Sequence, residues 1–171
     1  MEKRYNALRY FAYSLEILLF FIIMGIPNFM PEIFGGKPTF LLPIALTIAL
    51  FEREPTAMIF GGICGALTDF GYSNSLGFFA IAMAVVCFFV SYIAHNRLVV
   101  NILNAAVATL IIIAIVFVLH FFVFHAAKGY GGYQTYFAAH YMSRILYSWV
   151  FVFLFFYLNR GFSSYIQASD F

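Results

Sequence analysis

The feature that most constrains this chain is the apolar run over residues 98–125, which is long enough to cross a lipid bilayer. A membrane-spanning helix needs about 20 predominantly apolar residues. The whole chain shares this character, because 64% of its 171 residues are hydrophobic and only 9% are charged. Soluble domains carry about 25% charged residues. A soluble fold of this size has too little interior for so many apolar side chains, so the sequence predicts an integral membrane protein without a soluble domain.

Six apolar segments predict a single all-α transmembrane domain, a polytopic helical bundle over residues 1–171. The segments lie at about 10–30, 38–51, 55–71, 76–94, 98–125 and 140–158. The second segment is short and contains Pro43, so it is open to two interpretations: a re-entrant helix, or a broken helix that runs back to Pro31. Pro55 suits the start of the third segment, since proline is favoured in the first turn of a helix.

The distribution of basic residues predicts the orientation of the bundle. Cytoplasmic loops of membrane proteins carry an excess of Lys and Arg. With the N-terminus inside, the inner side holds Lys3, Arg4, Arg9, Arg53, Arg97 and Arg160, and the outer side holds Lys37, Lys128 and Arg144. This bias predicts an even number of spans with both termini in the cytoplasm. The first apolar run is too long for the core of a signal peptide and is expected to be retained.

Small residues recur along one face of the third segment. Ala57, Gly61, Gly65 and Asp69 are spaced every four residues and therefore share a helix face. Small residues spaced in this way let two helices approach closely in lipid. A similar stripe runs along the fourth segment. Four residues are predicted to serve helix packing within the bundle or contact with a partner: Gly61, Gly65, Gly77 and Ala84.

Asp69 is an ionisable residue near the outer end of a membrane segment, where such residues are costly and usually paired. Three interpretations are open. Asp69 is a solvated helix end or turn former, a structural partner of Arg144 or His120, or a group that binds a ligand or couples to a proton.

Other polar residues in the apolar segments are predicted to have structural roles. Glu16 lies about two turns into the first segment, where it either snorkels toward the inner surface or pairs with Arg9 or Arg97, with partner contact as the second possibility. Asn101 and Asn104 lie in the inner half of the fifth segment. Their side chains are expected to form hydrogen bonds across helices.

No residue pattern predicts a catalytic group, a metal site or a cofactor. His120 and His125 are five residues apart and so do not share a helix face as zinc ligands would. Cys64 and Cys87 lie in apolar runs and are expected to be small core residues. The net charge of +2, with scattered basic residues, gives no reason to expect a nucleic-acid partner.

Three short motifs between about residues 50 and 95 resemble the MreD family of rod shape-determining membrane proteins. They are the turn Phe51-Glu-Arg-Glu-Pro55, the helix Gly61-Gly-Ile-Cys-Gly65-Ala-Leu-Thr-Asp69 and the turn Ser75-Leu-Gly77. The resemblance implies a bacterial inner-membrane scaffold of the cell-wall elongation machinery. Such a scaffold binds an MreC-like single-span protein and through it MreB, RodA and a class B penicillin-binding transpeptidase. The aromatic-rich loop at 129–137 departs from the family pattern, and its role stays open.

The same resemblance supplies an alternative function. The family is similar in fold to the substrate-binding subunits of energy-coupling-factor vitamin transporters, which implies a solute cavity lined by Asp69, His120 and Arg144. Those subunits often carry an A-x-x-x-A docking face on the first helix. Here the corresponding positions read Ala7 with Phe11 and Ala12 with Glu16, so that signature is missing. A membrane enzyme that uses Asp69 or Glu16 as a general base is the least favoured alternative.

Overall fold

The computed structural model describes residues 2–26, 38–73, 77–97, 101–124 and 141–167, and the regular structure in these ranges is helical. The helices are α1 (Glu2–Gly25), α2 (Leu41–Phe51), α3 (Glu54–Thr68), α4 (Phe78–Arg97), α5 (Ile102–Phe124), α6 (Met142–Val150) and α7 (Val152–Gln167). A π-helical turn, Asp69–Ser73, follows α3 directly. Helices α6 and α7 form one apolar stretch with a break at Phe151, so the described chain fits the predicted six helical segments. The aromatic-rich loop lies outside the described residues.

Four stretches are long and apolar enough to cross a membrane, and they identify a multi-pass membrane protein. They are Asn6–Gly25, Phe78–Asn96, Ile102–Phe124 and Met142–Ser163. The second predicted segment, about 38–51, contains α2, which has 11 residues. At 1.5 Å per residue this helix is about 16 Å long, roughly half of the 30 Å hydrocarbon core.

Helix α2 lies at the centre of the bundle. Every residue from Leu41 to Leu50 is buried, and α2 contacts each of the other six described helices. A helix that is apolar all round is typical of a buried core or of a membrane span, and α2 is too short to cross the hydrocarbon core alone. The short, uniformly apolar second segment is therefore the core around which the longer helices pack.

Polar side chains join α2 to the last span at two levels. The Asn159 amide donates a hydrogen bond to the Thr47 hydroxyl at 2.9 Å. Near the other end of α2, the backbone N–H of Thr39 donates to the Ser148 hydroxyl at 2.8 Å. Interhelical hydrogen bonds in membranes contribute on average about 0.6 kcal/mol, so these bonds add directional contacts to the apolar packing around α2.

Helices α3 and α4 form the most extensive helix–helix contact among the described elements. A Cβ atom added at Gly65 would overlap the backbone of Phe79, and one added at Gly61 would lie 2.7 Å from the Met83 carbonyl oxygen. The stripe of small residues on α3 therefore brings the two backbones together within the chain. Cys87 also lies against Gly61, and both cysteines are buried and free, as the sequence predicted.

Gly77 and Ala84 differ from Gly61 and Gly65 in what they contact. Gly77 has φ +81°, a left-handed conformation that favours glycine, and a Cβ there would meet no heavy atom within 4 Å. Gly77 therefore forms a turn ahead of α4, and its predicted role in packing or partner contact stays a prediction. Ala84 is half-buried opposite Gly62, with its Cβ 3.6 Å from the position of an added Cβ.

The α3–α4 contact gives a prediction with a matched control. Gly65→Ala is expected to destabilise the protein by about 1–3 kcal/mol, the range for overpacking a close contact. Gly62→Ala, one turn away with ordinary space for a methyl group, is expected to be neutral or to gain up to about 1 kcal/mol from helix propensity. Thermal unfolding of both variants in detergent checks this. Equal midpoints for the two variants would contradict the close approach at Gly65.

Candidate functional site

A buried ion pair lies in the turn between α2 and α3. The Arg9 Nε atom lies 2.7 Å from Glu52 Oε1, and Arg9 Nη2 donates a hydrogen bond to Oε2 at 3.1 Å. The Tyr13 hydroxyl donates to Oε1 at 3.1 Å, and the Ser91 hydroxyl donates to the Glu52 backbone carbonyl. We call these four residues the Glu52 cluster. It joins α1, α2 and α4 at one end of the bundle.

The electrostatics of the Glu52 cluster depend on burial. Burial raises the pKa of the Glu52 carboxyl, while the Arg9 guanidinium and the Tyr13 hydroxyl oppose that rise. Residue Glu52 is almost fully covered, and the Arg9 side chain is 17% exposed. Arg9 therefore offsets the desolvation of a carboxyl that has no access to water.

Sequence reasoning missed the Glu52 cluster. It treated Arg9 as an inner-side positive charge or a partner of Glu16, and Glu52 as part of the turn from Phe51 to Pro55. One signal was available, because an acidic residue directly after the C-terminus of a helix is disfavoured by the helix dipole and needs a compensating partner. The identity of that partner, 43 residues earlier in the chain, has no local signature.

Asp69 lies at the opposite end of α3 and holds the start of α4. Its Oδ2 accepts a hydrogen bond from the Ala80 N–H at 2.9 Å, and its Oδ1 accepts one from the Phe79 N–H at 3.3 Å. The first turn of a helix has backbone N–H groups without intrahelical partners. Asp69 therefore caps α4 from a neighbouring helix, and its pairing with Arg144 or His120 stays a prediction.

His120 lies beside this cap in an aromatic cluster. It is buried, and its Nδ1 lies 3.2 Å from the Tyr141 hydroxyl. Its ring stacks on Phe79 at 4.9 Å and on Phe124 at 4.8 Å between centroids. Phe79 thus contacts Asp69 through its backbone and His120 through its ring, which links the ends of α3, α4 and α5.

The remaining predicted polar residues lie nearer the surface. Asn101 immediately precedes α5, Asn104 lies in its first turn, and both are exposed. They therefore lie near the edge of the span, and their expected hydrogen bonds across helices stay a prediction. Arg144, in the first turn of α6, is partly buried.

A groove of about 380 Å³ opens between α1 and α7. Its lining is apolar except for Glu16, which is 6% exposed. Neither carboxyl oxygen of Glu16 has a hydrogen-bond partner among the described side chains. Arg9, one of its two predicted partners, pairs with Glu52 instead, and the side chain of Arg97 lies outside the description. A charged side chain at mid-membrane costs about 2.5–3.5 kcal/mol on insertion scales, so Glu16 is the least compensated polar group described.

A comparison with known protein families identifies the family to which this chain is related. The model of the rod shape-determining protein MreD matches residues 6–162, which includes both polar clusters and the groove. The chain belongs to the MreD family. It is also 34% identical over 87 residues to the rod shape-determining protein MreD of Bacillus subtilis (strain 168), and that match covers 51% of this chain and 48% of the relative. The chain thus matches about half the length of this curated relative.

No solved structure matches this MreD-family chain. The expected likeness in fold to the vitamin-transporter subunits therefore stays a prediction. The residues that carried the family resemblance have structural roles here: Glu52 pairs with Arg9, Gly65 contacts the α4 backbone and Asp69 caps α4. The motif residues of this MreD-family chain thus help to hold α2, α3 and α4 together.

The Glu52 cluster predicts a non-additive pair of substitutions. Arg9→Met is expected to cost about 3 kcal/mol of unfolding free energy, because it leaves a buried carboxyl without its partner. The double variant Arg9→Met/Glu52→Met is expected to recover most of that loss, since an apolar pair of similar volume removes the buried charge altogether. Arg53→Met, at an exposed neighbouring position, is the control and is expected to stay within about 0.5 kcal/mol of the wild type.

Denaturation by sodium dodecyl sulfate in mixed micelles measures these free energies. Additive losses in the double variant would contradict a coupled ion pair.

The Asp69 cap predicts a graded series. Asp69→Ala removes both acceptors and is expected to cost about 1–2 kcal/mol, as loss of a helix cap does. Asp69→Asn keeps one side-chain oxygen and is expected to lose less. The same denaturation assay checks the order, and hydrogen exchange at Phe79 and Ala80 is expected to rise in the alanine variant. Unchanged exchange at these two amides would contradict capping by Asp69.

Proposed function

We propose that this MreD-family chain is a non-enzymatic scaffold of the bacterial cell-wall elongation machinery in the cytoplasmic membrane, with both termini in the cytoplasm. In this role it binds an MreC-like single-span protein and through it links MreB with RodA and a class B penicillin-binding transpeptidase. The observation that carries the proposal is the family match over residues 6–162, which includes most of the described bundle. Control of cell shape follows from holding these partners in one assembly.

The polar groups inside the bundle support a scaffold role, because they connect one helix to another. Described hydrogen bonds such as Asn159 to Thr47, Ser91 to Glu52 and Ala80 to Asp69 join one helix to another. These bonds fix the relative positions of the helices. A bundle fixed in this way offers a defined outer surface, which a partner with a single transmembrane helix needs in order to dock in one orientation.

The positions of two glycines also restrict the surface on which a partner can bind. Gly61 and Gly65, the residues first considered for partner contact, face α4 inside the chain. A partner therefore has to use an outward face of the bundle. Substitution of either glycine by a large residue is expected to weaken partner binding indirectly, by separating α3 from α4.

The proposal predicts loss of rod shape together with loss of an assembly. Depletion of this chain in its own cells is expected to lower the length-to-width ratio toward that of spheres, because the elongation machinery loses its membrane anchor. Re-expression of a tagged wild-type chain is expected to restore rods and to co-purify the MreC-like protein encoded by the same genome. Microscopy and quantitative blotting measure the two results.

Gly62→Ala is the matched control for this experiment and is expected to behave as the wild type in both assays. Gly65→Ala is expected to lower both the length-to-width ratio of the cells and the amount of co-purified MreC-like protein, in proportion to its loss of folded protein. Rods that persist after depletion, or restored rods without any co-purified MreC-like protein, would contradict the proposed scaffold.

A further inference from the structure

The groove between α1 and α7 is an elongated apolar surface. The residues that α1 contributes to the groove recur at helical spacing, and α7 contributes fewer residues. The lining consists of Leu8, Phe11, Ala12, Leu15, Glu16, Leu19 and Phe20 from α1, with Leu158 and Phe162 from α7. The α1 residues extend over 12 helical steps, which correspond to a length of about 18 Å. The groove therefore runs along α1 for a length of more than half of the hydrocarbon thickness, which is about 30 Å.

Glu16 lies at the middle of its span. It follows Asn6 by 10 residues and precedes Gly25 by 9 residues, and these two residues are the ends of the span. Each end is therefore about 14–15 Å away along the helix. This distance keeps lipid headgroups and their donors out of reach of the carboxyl group.

Nearby donors on α1 are already used. The Tyr13 hydroxyl and the Arg9 guanidinium bond to Glu52, and the Ser14 hydroxyl bonds to the Tyr10 carbonyl at 2.8 Å. Buried polar groups in native proteins normally have a hydrogen-bond partner. The carboxyl group of Glu16 lines the groove and has no partner among the described side chains, so a molecule in the groove could donate a hydrogen bond to it.

We propose that the groove receives one transmembrane helix of a partner protein, and that this helix presents an amide, hydroxyl or cationic donor to Glu16. The inference rests on the proposed scaffold function and adds the docking surface and its chemistry. A lipid acyl chain fits the apolar lining but has no donor to offer at this depth. A transmembrane helix supplies both an apolar face that fills the groove and a polar side chain that donates to the carboxyl group.

Site-specific photo-crosslinking tests the docking surface in intact membranes. A photoreactive benzoylphenylalanine is placed at Leu15 in the groove or at Ile111 on α5. The two positions match, since each side chain is 53% exposed and lies near the middle of its span. The chain is co-expressed with the MreC-like single-span protein of the same genome. Leu15 is expected to give at least tenfold more adduct with that partner's transmembrane segment than Ile111 does.

Glu16 variants test the hydrogen bond within the same experiment. Glu16→Leu is expected to reduce the Leu15 adduct at least tenfold, because the donor on the partner helix loses its acceptor. Glu16→Gln keeps a side-chain oxygen and is expected to give an intermediate yield. The isolated Glu16→Leu protein is expected to melt in detergent at the wild-type temperature or above, since it loses an uncompensated polar group. Loss of binding with retained stability separates docking from folding.

Several results would overturn this inference while the scaffold function stands. They are co-purification of the partner with equal adducts at Leu15 and Ile111, an adduct at Leu15 only with a second copy of this chain, or equal yields from Glu16→Leu and the wild type. Equal yields from Glu16→Gln and Glu16→Leu would overturn the role of the hydrogen bond. Failure of the partner to co-purify with the wild-type chain would instead contradict the proposed function itself.

Discussion

The close contact between the α3 and α4 backbones is the constraint on which the rest of the bundle depends. Lipid tails are as apolar as leucine, so helices in a membrane gain little by burying apolar side chains against each other. Close backbone packing replaces that driving force, and here it is possible because Gly61 and Gly65 leave room for the Met83 and Phe79 backbones. The resulting pair of helices covers part of α2, in which every residue from Leu41 to Leu50 is buried.

The two polar clusters act at opposite ends of that pair. The Glu52 cluster connects the start of α3 to α1 and α4, and Asp69 connects its end to the first turn of α4. Each site satisfies groups that lipid cannot hydrate: a carboxyl after α2, and the free N–H groups at the start of α4. Since both ends of α3 are held by these contacts, the helices around α2 have little freedom to slide.

The sequence predicted much of this architecture, for physical reasons that also explain the failures. Apolar runs predicted the membrane helices and the spacing of Gly61 and Gly65 predicted a close helix contact, because both signals are local and periodic. The partner of Glu52 could not be predicted, since Arg9 is 43 residues away and their proximity depends on how α1 packs. The groove around Glu16 was also hidden, because the sequence placed Glu16 in a span but could not show that the described side chains leave its carboxyl group without a hydrogen-bond partner.

The bond between Arg9 and Glu52 has a consequence for membrane insertion. Arg9 belongs to the basic N-terminal cluster that biases the first helix toward one orientation while the chain enters the bilayer. Its carboxylate partner emerges only after α2 has been synthesised, and the two groups meet only when α1 and α2 run in opposite directions. An inverted first helix would leave Glu52 buried and uncompensated. The Arg9 guanidinium group therefore contributes first to the orientation of α1 in the membrane and later to the packing of α1 against the turn after α2.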